Sequence, residues 1–279
     1  MGFAHLAFVD DGSSDGTFEA LTRLAARTGR VSVRRVRNDV FEQGSLVTGA
    51  ANELLADGYR LIVPFDADEF WVTPAWEFER LSGGSPEAAF HGRWVNFVQA
   101  RSCGASRASA LLRMTYRTPE EVDDSKEDII AYKGSFTCFR ETKIAFKSAG
   151  PVRLDTGQHT VVAGPIAMHG PALEIFHLPL RAKEEVAKRG LNYEPRRSSL
   201  RPNKDASWQS AFHREAVMTG RTDSVWAANS FDWRGRMNVY GRPVRLVRDL
   251  RLRRLLLTAA WHLFFHYRLV PHLKRRAIR

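Results

Sequence analysis

Cysteine is scarce in this chain of 279 residues, which contains only two. Cys103 and Cys138 show neither the spacing of a zinc site nor that of a redox motif, and two cysteines are too few for a disulfide-rich domain. This scarcity excludes a fold held together by disulfides and favours a reducing compartment.

Long apolar segments are also absent from the sequence. The segment from Met1 to Phe8 has neither a basic start nor a long apolar core, so it lacks the pattern of a signal peptide. No run reaches the ~18 apolar residues that a bilayer-spanning helix needs. These absences predict a cytoplasmic protein.

An excess of charge is absent from most of the chain, although the net charge is +11. The segment from Gly241 to Arg279 contains eleven Lys and Arg residues and one acid, Asp249, and so carries +10 of that charge. The first 240 residues therefore have a net charge of only +1. Such a body has no basic face for nucleic acid, and we expect no specific nucleic-acid partner.

What is present near the start is an alternation of strand and helix patterns. Apolar runs predict strands at residues 4–9 and 59–65, and alternating apolar and polar residues predict a strand at 31–36. Helical spacing predicts helices at 17–27 and 45–56. This order predicts an α/β fold with a mostly parallel sheet flanked by helices.

The pattern becomes strand-rich after Trp71, and a charged helix follows Pro179. We predict three parts: an α/β domain at 1–190, an irregular or helical accessory segment at 191–241, and a basic amphipathic tail at 242–279. The further strands are predicted at 88–98, 109–116, 134–140 and 173–177.

Two acidic loops follow predicted strands, "DDGSSDG" at 10–16 and "DADE" at 66–69. Parallel α/β sheets bind ligands at the carboxyl ends of their strands. Asp66 and Asp68 are two residues apart, so in an extended segment both carboxylates face one side and suit Mg²⁺ or Mn²⁺. The alternatives are a solvated turn for the second loop and an Asx turn capping the next helix for the first.

The pair "VDDGSSDGT" and "IVPFDADEF" resembles the inverting family 2 glycosyltransferases, which have the A-type nucleotide-diphosphosugar transferase fold. The later "RWVNF", "GQHT" and "IFHLPLRAKEEVAKRG" are similar to the subgroup related to family 92. The resemblance covers roughly residues 4–190. It implies transfer of a sugar from a nucleotide-diphosphosugar donor to a glycan or lipid-linked acceptor, with Mn²⁺ or Mg²⁺ as cofactor.

The resemblance also implies a donor site. It assigns a metal and diphosphate contact to His177, for which a hydrogen-bonded core histidine is the alternative. Arg181 would add a phosphate contact or would be a solvated charge at the start of a helix. The nucleotide-sugar contacts are Asp10, Asp11, Gly12, Ser13, Asp15 and Asp66, and the metal ligands are Asp66, Asp68 and His177.

Several residues are candidates for the general base that takes the proton from the acceptor hydroxyl. Asp155 and His159 of "LDTGQHT" are the first choice. Glu127 and Asp128 compete with them, although their loop has the composition of a solvated segment. Glu69 is another candidate, with orientation of the metal site as its alternative role.

Trp94 and Asn96 alternate with an apolar residue on a predicted strand and would therefore share one face. An aromatic ring and an amide on one face suit recognition of the acceptor or the sugar. Glu69 is a further candidate for this contact. The alternative for Trp94 is an ordinary core tryptophan.

The tail combines an apolar centre at Leu255 to Phe265 with basic flanks. It is too short to span a bilayer but suits a helix lying on an anionic membrane surface, at the inner face of the cell membrane. A C-terminal helix packed on the domain is the alternative.

Family 2 enzymes place a strand and a helix before the first acidic motif, which here begins at Val9. The resemblance therefore implies an N-terminally truncated domain whose strand at Ala4 to Val9 exposes apolar surface and unpaired backbone groups. It leaves open a second function, an inactive glycosyltransferase-like binding module at a membrane.

Overall fold

The structure is a computed structural model of the chain. It describes residues 3–37, 43–103, 108–120, 136–139, 141–164, 173–191, 208–239 and 241–264. Glu127, Asp128 and the end of the predicted tail lie outside these ranges.

The chain divides into two compact units. The first comprises Met1–Trp94, Glu141–Phe176 and Tyr193–Ala211, and the second comprises Val95–Arg140, His177–Asn192 and Phe212–Arg279.

The first unit begins with the alternation that the sequence predicts. Strand β1 (Leu6–Asp11), helix α1 (Thr17–Thr28), strand β2 (Val31–Val36), helix α2 (Gln43–Ala56) and strand β3 (Leu61–Ile62) follow one another. Strands β1 and β2 are parallel and paired along their full length. The predicted mixture of helices and strands is therefore confirmed.

The apolar side chains of β1 are half-buried. Among the described strands β1 pairs only with β2, and α1 buries none of its residues. Helix α1 is nevertheless well delimited, because Gly16 and Gly29 both adopt the left-handed conformation at its ends.

The prediction of a mostly parallel sheet is wrong, since most strand pairs with a defined register are antiparallel. Strand β7 (Thr142–Lys147) runs antiparallel to β3 and to β5 (Ala88–Ala100). A parallel pair needs a long crossover connection, which α1 supplies between β1 and β2. The remaining elements of this unit are β4 (Glu69–Trp71), α3 (Ala75–Leu81), β8 (Arg153–Leu154), β9 (Val161–Ala163) and β10 (Leu173–His177), whose last residue is in the second unit.

Helix α2 is anchored in the core of the first unit. Ala51 and Leu55 pack in a cluster with β3, β5, β7 and β8. Asn52 both donates to and accepts from the backbone of Val152, at 2.9 and 2.8 Å. Two apolar contacts and a paired amide fix the axis of α2, so its first turn has a defined place beside the residues described below.

The second unit contains the end of β5 and most of the remaining helices. Among the described residues the whole chain has eight α-helices, and none of them is long and apolar enough to cross a bilayer. The additional elements are α4 (Ala108–Leu111), β6 (Tyr116–Arg117), a 3-10 turn (Phe136–Cys138), α5 (Lys183–Leu191), α6 (Trp208–Met218, which begins in the first unit), α7 (Thr222–Ala228), β11 (Ser230–Phe231), β12 (Arg236–Val239), β13 (Arg242–Arg245), β14 (Val247–Arg248) and α8 (Arg251–Phe264).

An apolar cluster forms the core of the second unit around β12 and β13. Met237 and Val239 contribute to it from β12, together with Val98, Cys138, Phe231 and Leu246. Strands β12 and β13 form an antiparallel hairpin. The hairpin therefore spans the boundary between the segment predicted as irregular or helical, which contains β12, and the predicted tail, which contains β13.

Candidate functional site

The loop after β3 is closed by the carboxylate of Glu69 and the backbone of Asp66. The backbone N–H of Glu69 donates to the carbonyl of Asp66 at 3.0 Å, and the N–H of Asp66 donates to Oε2 of Glu69 at 2.9 Å. Glu69 is buried, whereas the side chain of Asp66 is 36% exposed. The turn therefore fixes Glu69 inside the unit and presents Asp66 towards solvent.

Lys143 is the counter-charge of this loop, and the sequence analysis did not identify it. Its Nζ lies 2.7 Å from Oδ2 of Asp66 and 3.5 Å from Oε1 of Glu69. Burial lowers the pKa of Lys143, but the two carboxylates outweigh burial and leave this pKa above its ordinary value. A buried lysine thus stays charged under the acidic loop.

Glu69 has an unusual affinity for protons. Burial raises the pKa of Glu69 to about 7, against the lowering effect of Lys143 and with a further increase from Asp66. Its Oε1 accepts a hydrogen bond of 2.7 Å from Nε1 of Trp94. Glu69 can therefore gain or lose a proton near neutral pH, but it is held in place and buried rather than facing an open site.

The first turn of α2 joins this loop to the turn after β8. Gln43 donates from Nε2 to Oδ1 of Asp66 at 2.9 Å. At Gly44 an added Cβ would lie 3.1 Å from the carbonyl oxygen of Asp155, so glycine allows this close approach. Asp66 and Asp155 are therefore brought to the same end of α2.

The loop after β1 has a buried carboxylate with an unused oxygen. Oδ2 of Asp10 accepts the N–H of Ser13 at 3.1 Å and lies 3.5 Å from Nε of Arg35. Oδ1 of Asp10 is buried and has no hydrogen-bond partner among the described residues. Gly12 adopts φ of 70°, which the loop needs in order to turn back at this point. Asp11 follows Asp10 and is half-buried.

Asp15 in the same loop has a structural role. Its Oδ1 accepts the N–H and the Oγ1–H of Thr17 at 3.1 and 2.6 Å, at the start of α1. The Asx-turn alternative therefore describes Asp15. Phe8 and Phe65 contact edge to face at 5.9 Å, and thus β1 lies beside the segment that leads to Asp66.

Asp155 also holds a turn. Its Oδ1 accepts the N–H of His159 at 2.7 Å and the N–H of Thr160 at 2.9 Å. These bonds close the connection between β8 and β9. Asp155 thus positions His159 through its Oδ1.

His159 forms a pair with Glu141, which the sequence analysis did not identify. Nδ1 of His159 bonds to the carbonyl of Thr142, so Nδ1 is the nitrogen that carries the proton. Nε2 lies 3.4 Å from Oε2 of Glu141. Burial raises the pKa of Glu141, against the lowering effect of His159. Both side chains are about one-third exposed, so this pair can exchange a proton with a bound molecule.

Gln158 links Lys143, which pairs with the Asp66 loop, to the turn that carries His159. Its Oε1 accepts from Nζ of Lys143 at 3.1 Å, and its Nε2 is buried with no partner among the described residues. Gln158 has φ of 59°, a left-handed conformation that costs a non-glycine residue about 1–3 kcal/mol. The sequence signal for Gln158 was its place in "GQHT", which we assigned to His159 alone.

His177 belongs to the second unit, where Asn96 fixes its tautomer. Nδ2 of Asn96 donates to the carbonyls of Thr137 and Phe139 at 2.9 and 2.7 Å. Oδ1 of Asn96 must therefore accept from Nδ1 of His177, at 2.7 Å. The lone pair of His177 is on Nε2, which is what a metal ligand requires. The buried, hydrogen-bonded state is also that of a core histidine, and both alternatives stay open.

Three other predicted residues are held by their neighbours. Trp94 and Asn96 are buried and bond to other candidate residues, so neither presents its polar group to solvent, and the core alternative describes Trp94. Arg181 binds Glu185 through its N–H and its Nε, at 2.9 and 2.8 Å. Arg181 precedes helix α5 and is paired there rather than fully solvated.

The donor chemistry of the Asp66 loop fits a divalent ion only in part. Both oxygens of Asp66 are engaged, by Gln43 and Lys143, although each carboxylate oxygen has a second lone pair. Asp68 is half-buried two residues along. Across the described ranges no three Cys, His, Asp or Glu side chains are grouped to hold a metal. Asp66 and Asp68 would thus supply part of a shell that water and phosphate complete, as is usual for Mg²⁺.

Comparison with known proteins identified no relative of this chain. The resemblance therefore rests on the sequence motifs alone. No protein-family model, curated protein or solved structure matches this chain.

Proposed function

We propose that the chain is an inverting glycosyltransferase of the A-type fold, which transfers a sugar from a nucleotide-diphosphosugar donor to a hydroxyl of a glycan or lipid-linked acceptor. The observation that carries the proposal is the first acidic loop, in which Asp10 keeps a buried oxygen without a partner among the described residues. Buried polar atoms without partners are rare and call for an explanation, such as a ligand.

The first acidic loop would bind the nucleoside. A carboxylate accepts hydrogen bonds only, so Asp10 and Asp11 suit the N–H groups of a base and the hydroxyls of a ribose. Arg35 holds the loop by donating to the carbonyl of Ser13 at 2.8 Å. This bond and the turn at Gly12 define the loop before a ligand arrives, which lowers the cost of ordering it.

The second acidic loop would face the diphosphate. Asp66 and Asp68 would hold Mn²⁺ or Mg²⁺, which when bound supplies positive charge for the departing diphosphate. Lys143 and Gln43 orient the Asp66 carboxylate from beneath.

The acceptor hydroxyl would lose its proton to the pair of His159 and Glu141. A bond forms from the acceptor oxygen to the anomeric carbon while the bond from that carbon to the diphosphate oxygen breaks. The electron pair of the broken bond leaves with the diphosphate, and the hydroxyl proton passes to Nε2 of His159 or to Glu141. Asp155 positions this pair through the turn.

Thermal unfolding with a panel of nucleoside diphosphates and nucleotide sugars, with and without MnCl₂, tests donor binding. A ligand at 100 times its Kd stabilises by about 2.7 kcal/mol, a shift in Tm of about 5–10 °C. We expect such a shift for one nucleotide, reduced to about half or less in Asp10→Asn and kept in Asp57→Asn, an exposed control just after α2. If no nucleotide shifts Tm, the proposal fails.

A binding module without catalysis is the second candidate. It is favoured by the engagement of both Asp66 oxygens and by the role of Asp155 in a turn. Release of free nucleoside diphosphate in the presence of acceptor separates the two functions. A module binds the nucleotide and releases none, whereas His159→Asn lowers release by the transferase and leaves its Tm shift intact.

A further inference from the structure

The hairpin formed by β12 and β13 has one strongly basic face. Arg236 lies directly opposite Arg245, and Asn238 lies directly opposite Pro243. Opposed residues of antiparallel strands project to the same side, and all four are exposed. We call these four residues, with Trp233 and Arg234 of the preceding turn, the hairpin surface.

Packing imposes this orientation on the hairpin. Met237 and Val239, which alternate with Arg236 and Asn238, are buried in the core of the second unit. Because side chains alternate along a strand, burying these two apolar residues sends the arginine face outwards. The basic face is thus a fixed property of the fold.

The charges of the hairpin surface are not balanced within the described residues. Directly opposed like charges destabilise an antiparallel pair, and neither Arg236 nor Arg245 has an ion pair with another described residue. The neighbouring Asp232 is occupied, because its Oδ1 accepts the N–H of Arg234 at 2.9 Å and of Arg236 at 3.0 Å. An external anion would relieve the repulsion.

The excess of arginine continues along the chain. Residues 233–254 contain eight arginines and one acid, Asp249. Asp249 is already paired with Arg251 at 2.7 Å and with Arg117 at 3.3 Å. Helix α8 adds Leu257, which is 48% exposed. Positive charge and an exposed apolar side chain therefore occur in the same stretch of the chain.

Trp233 is the most exposed large apolar side chain described in this structure, at 85%. The guanidinium of Arg234 lies 4.5 Å from the centre of its ring. A tryptophan with one polar edge suits the headgroup region of a bilayer, and arginine suits the lipid phosphates. Single-stranded nucleic acid usually requires several stacking aromatics, whereas this surface has one.

We propose that the hairpin surface docks on an anionic membrane, with Trp233 in the headgroup region and Arg234, Arg236 and Arg245 against lipid phosphates. This proposal does not depend on the proposed function. It also differs from the predicted membrane helix centred on Leu255 to Phe265. The hairpin precedes that helix along the chain, although β13 lies within the tail predicted at 242–279, and it packs on the core of the second unit.

Pelleting of the full chain with phosphatidylcholine vesicles, with and without phosphatidylserine, tests the charge. We expect binding only to the anionic vesicles and a fall of about tenfold or more in Arg236→Glu/Arg245→Glu. The control Arg23→Glu/Arg27→Glu changes the net charge equally on exposed α1 residues of the first unit and should bind like the unaltered chain. Equal binding by both double variants overturns the proposal.

Quenching of tryptophan fluorescence by brominated lipids tests the contact itself, without a charge reversal. Trp233→Ala should lose most of the quenching, and Trp76→Ala, which removes a tryptophan 65% exposed on α3, should keep it. Quenching that persists in Trp233→Ala contradicts the docking geometry. Binding of the chain to RNA but not to anionic vesicles assigns a different partner and overturns the proposal as well.

Discussion

The two acidic loops of the first unit differ in how many oxygens of their aspartates have hydrogen-bond or ion-pair partners. Asp66 has both oxygens engaged, one by Gln43 and one by Lys143. Asp10 has one oxygen engaged, by Ser13 and Arg35, and one that is buried without a partner among the described residues. The loop at Asp66 is internally satisfied, and the loop at Asp10 is not.

This difference separates the contribution of a loop to stability from its contribution to ligand affinity. A satisfied network contributes to stability and holds a shape, whereas an unsatisfied buried acceptor costs about 1–3 kcal/mol until a donor arrives. We infer that the Asp66 loop is a rigid support and that the Asp10 loop is where a ligand gains most by binding. Substitutions should therefore affect stability in one loop and affinity in the other.

The largest expected effect is the loss of Lys143. Removing one partner of a buried ion pair costs about 3–5 kcal/mol, because the remaining charge stays buried. Lys143→Met leaves Glu69 and Asp66 without their cation and should lower the free energy of unfolding by about this amount in urea titrations. Lys183→Met, which breaks an exposed pair with Asp223, should cost less than about 1 kcal/mol.

The next effect is the pH dependence that Glu69 confers. The folded protein holds this proton with a pKa of about 7, against 4.5 in the unfolded chain. The folded state thus binds more protons between these values, and the free energy of unfolding should fall by about 3 kcal/mol as pH rises from about 4.5 to about 7. Glu69→Gln should reduce this slope, and an unchanged slope would contradict the assignment to Glu69.

A smaller effect on stability, but a specific one on binding, is expected at Asp10. A hydrogen bond to a charged group contributes about 1.5–3 kcal/mol, so Asp10→Asn should weaken nucleotide binding about tenfold to hundredfold by calorimetry. Its free energy of unfolding should change by no more than about 1 kcal/mol, because the pair with Arg35 is partly exposed. A large loss of stability with unchanged affinity would reverse the comparison of the loops.

The order of elements in the first unit could be predicted from the sequence because local patterns determine it. Apolar periodicity located β1, α1, β2, α2 and β3. The antiparallel partners of β3 and β5 could not be predicted, since pairing depends on β7, which is far along the chain. A short strand such as β3 carries no local signal for the direction of its neighbour.

The residues of the candidate site could be predicted where a motif groups several polar residues in one loop. They could not be predicted where isolated residues come together only in the folded chain. Asp10 and Asp66 are visible in glycine- and acid-rich loops. Lys143 and Glu141 stand alone around an ordinary strand, and only their spacing of two residues hinted at a shared face. Burial made Lys143 important, and burial is a property of the assembled fold.

The smallest expected effect is at Asp15, which tests the comparison within one loop. Asp15 and Asp10 belong to the same acidic motif, but Asp15 is exposed and accepts hydrogen bonds from the N–H and the hydroxyl of Thr17 at the start of α1. Losing such a cap costs about 1 kcal/mol, so Asp15→Ala should lower the free energy of unfolding by that amount and leave nucleotide affinity within about twofold. Calorimetric titration alongside Asp10→Asn measures both. A loss of affinity as large as that of Asp10→Asn would mean that the whole motif contacts the ligand, and the division between a capping aspartate and a ligand-binding aspartate would then be wrong.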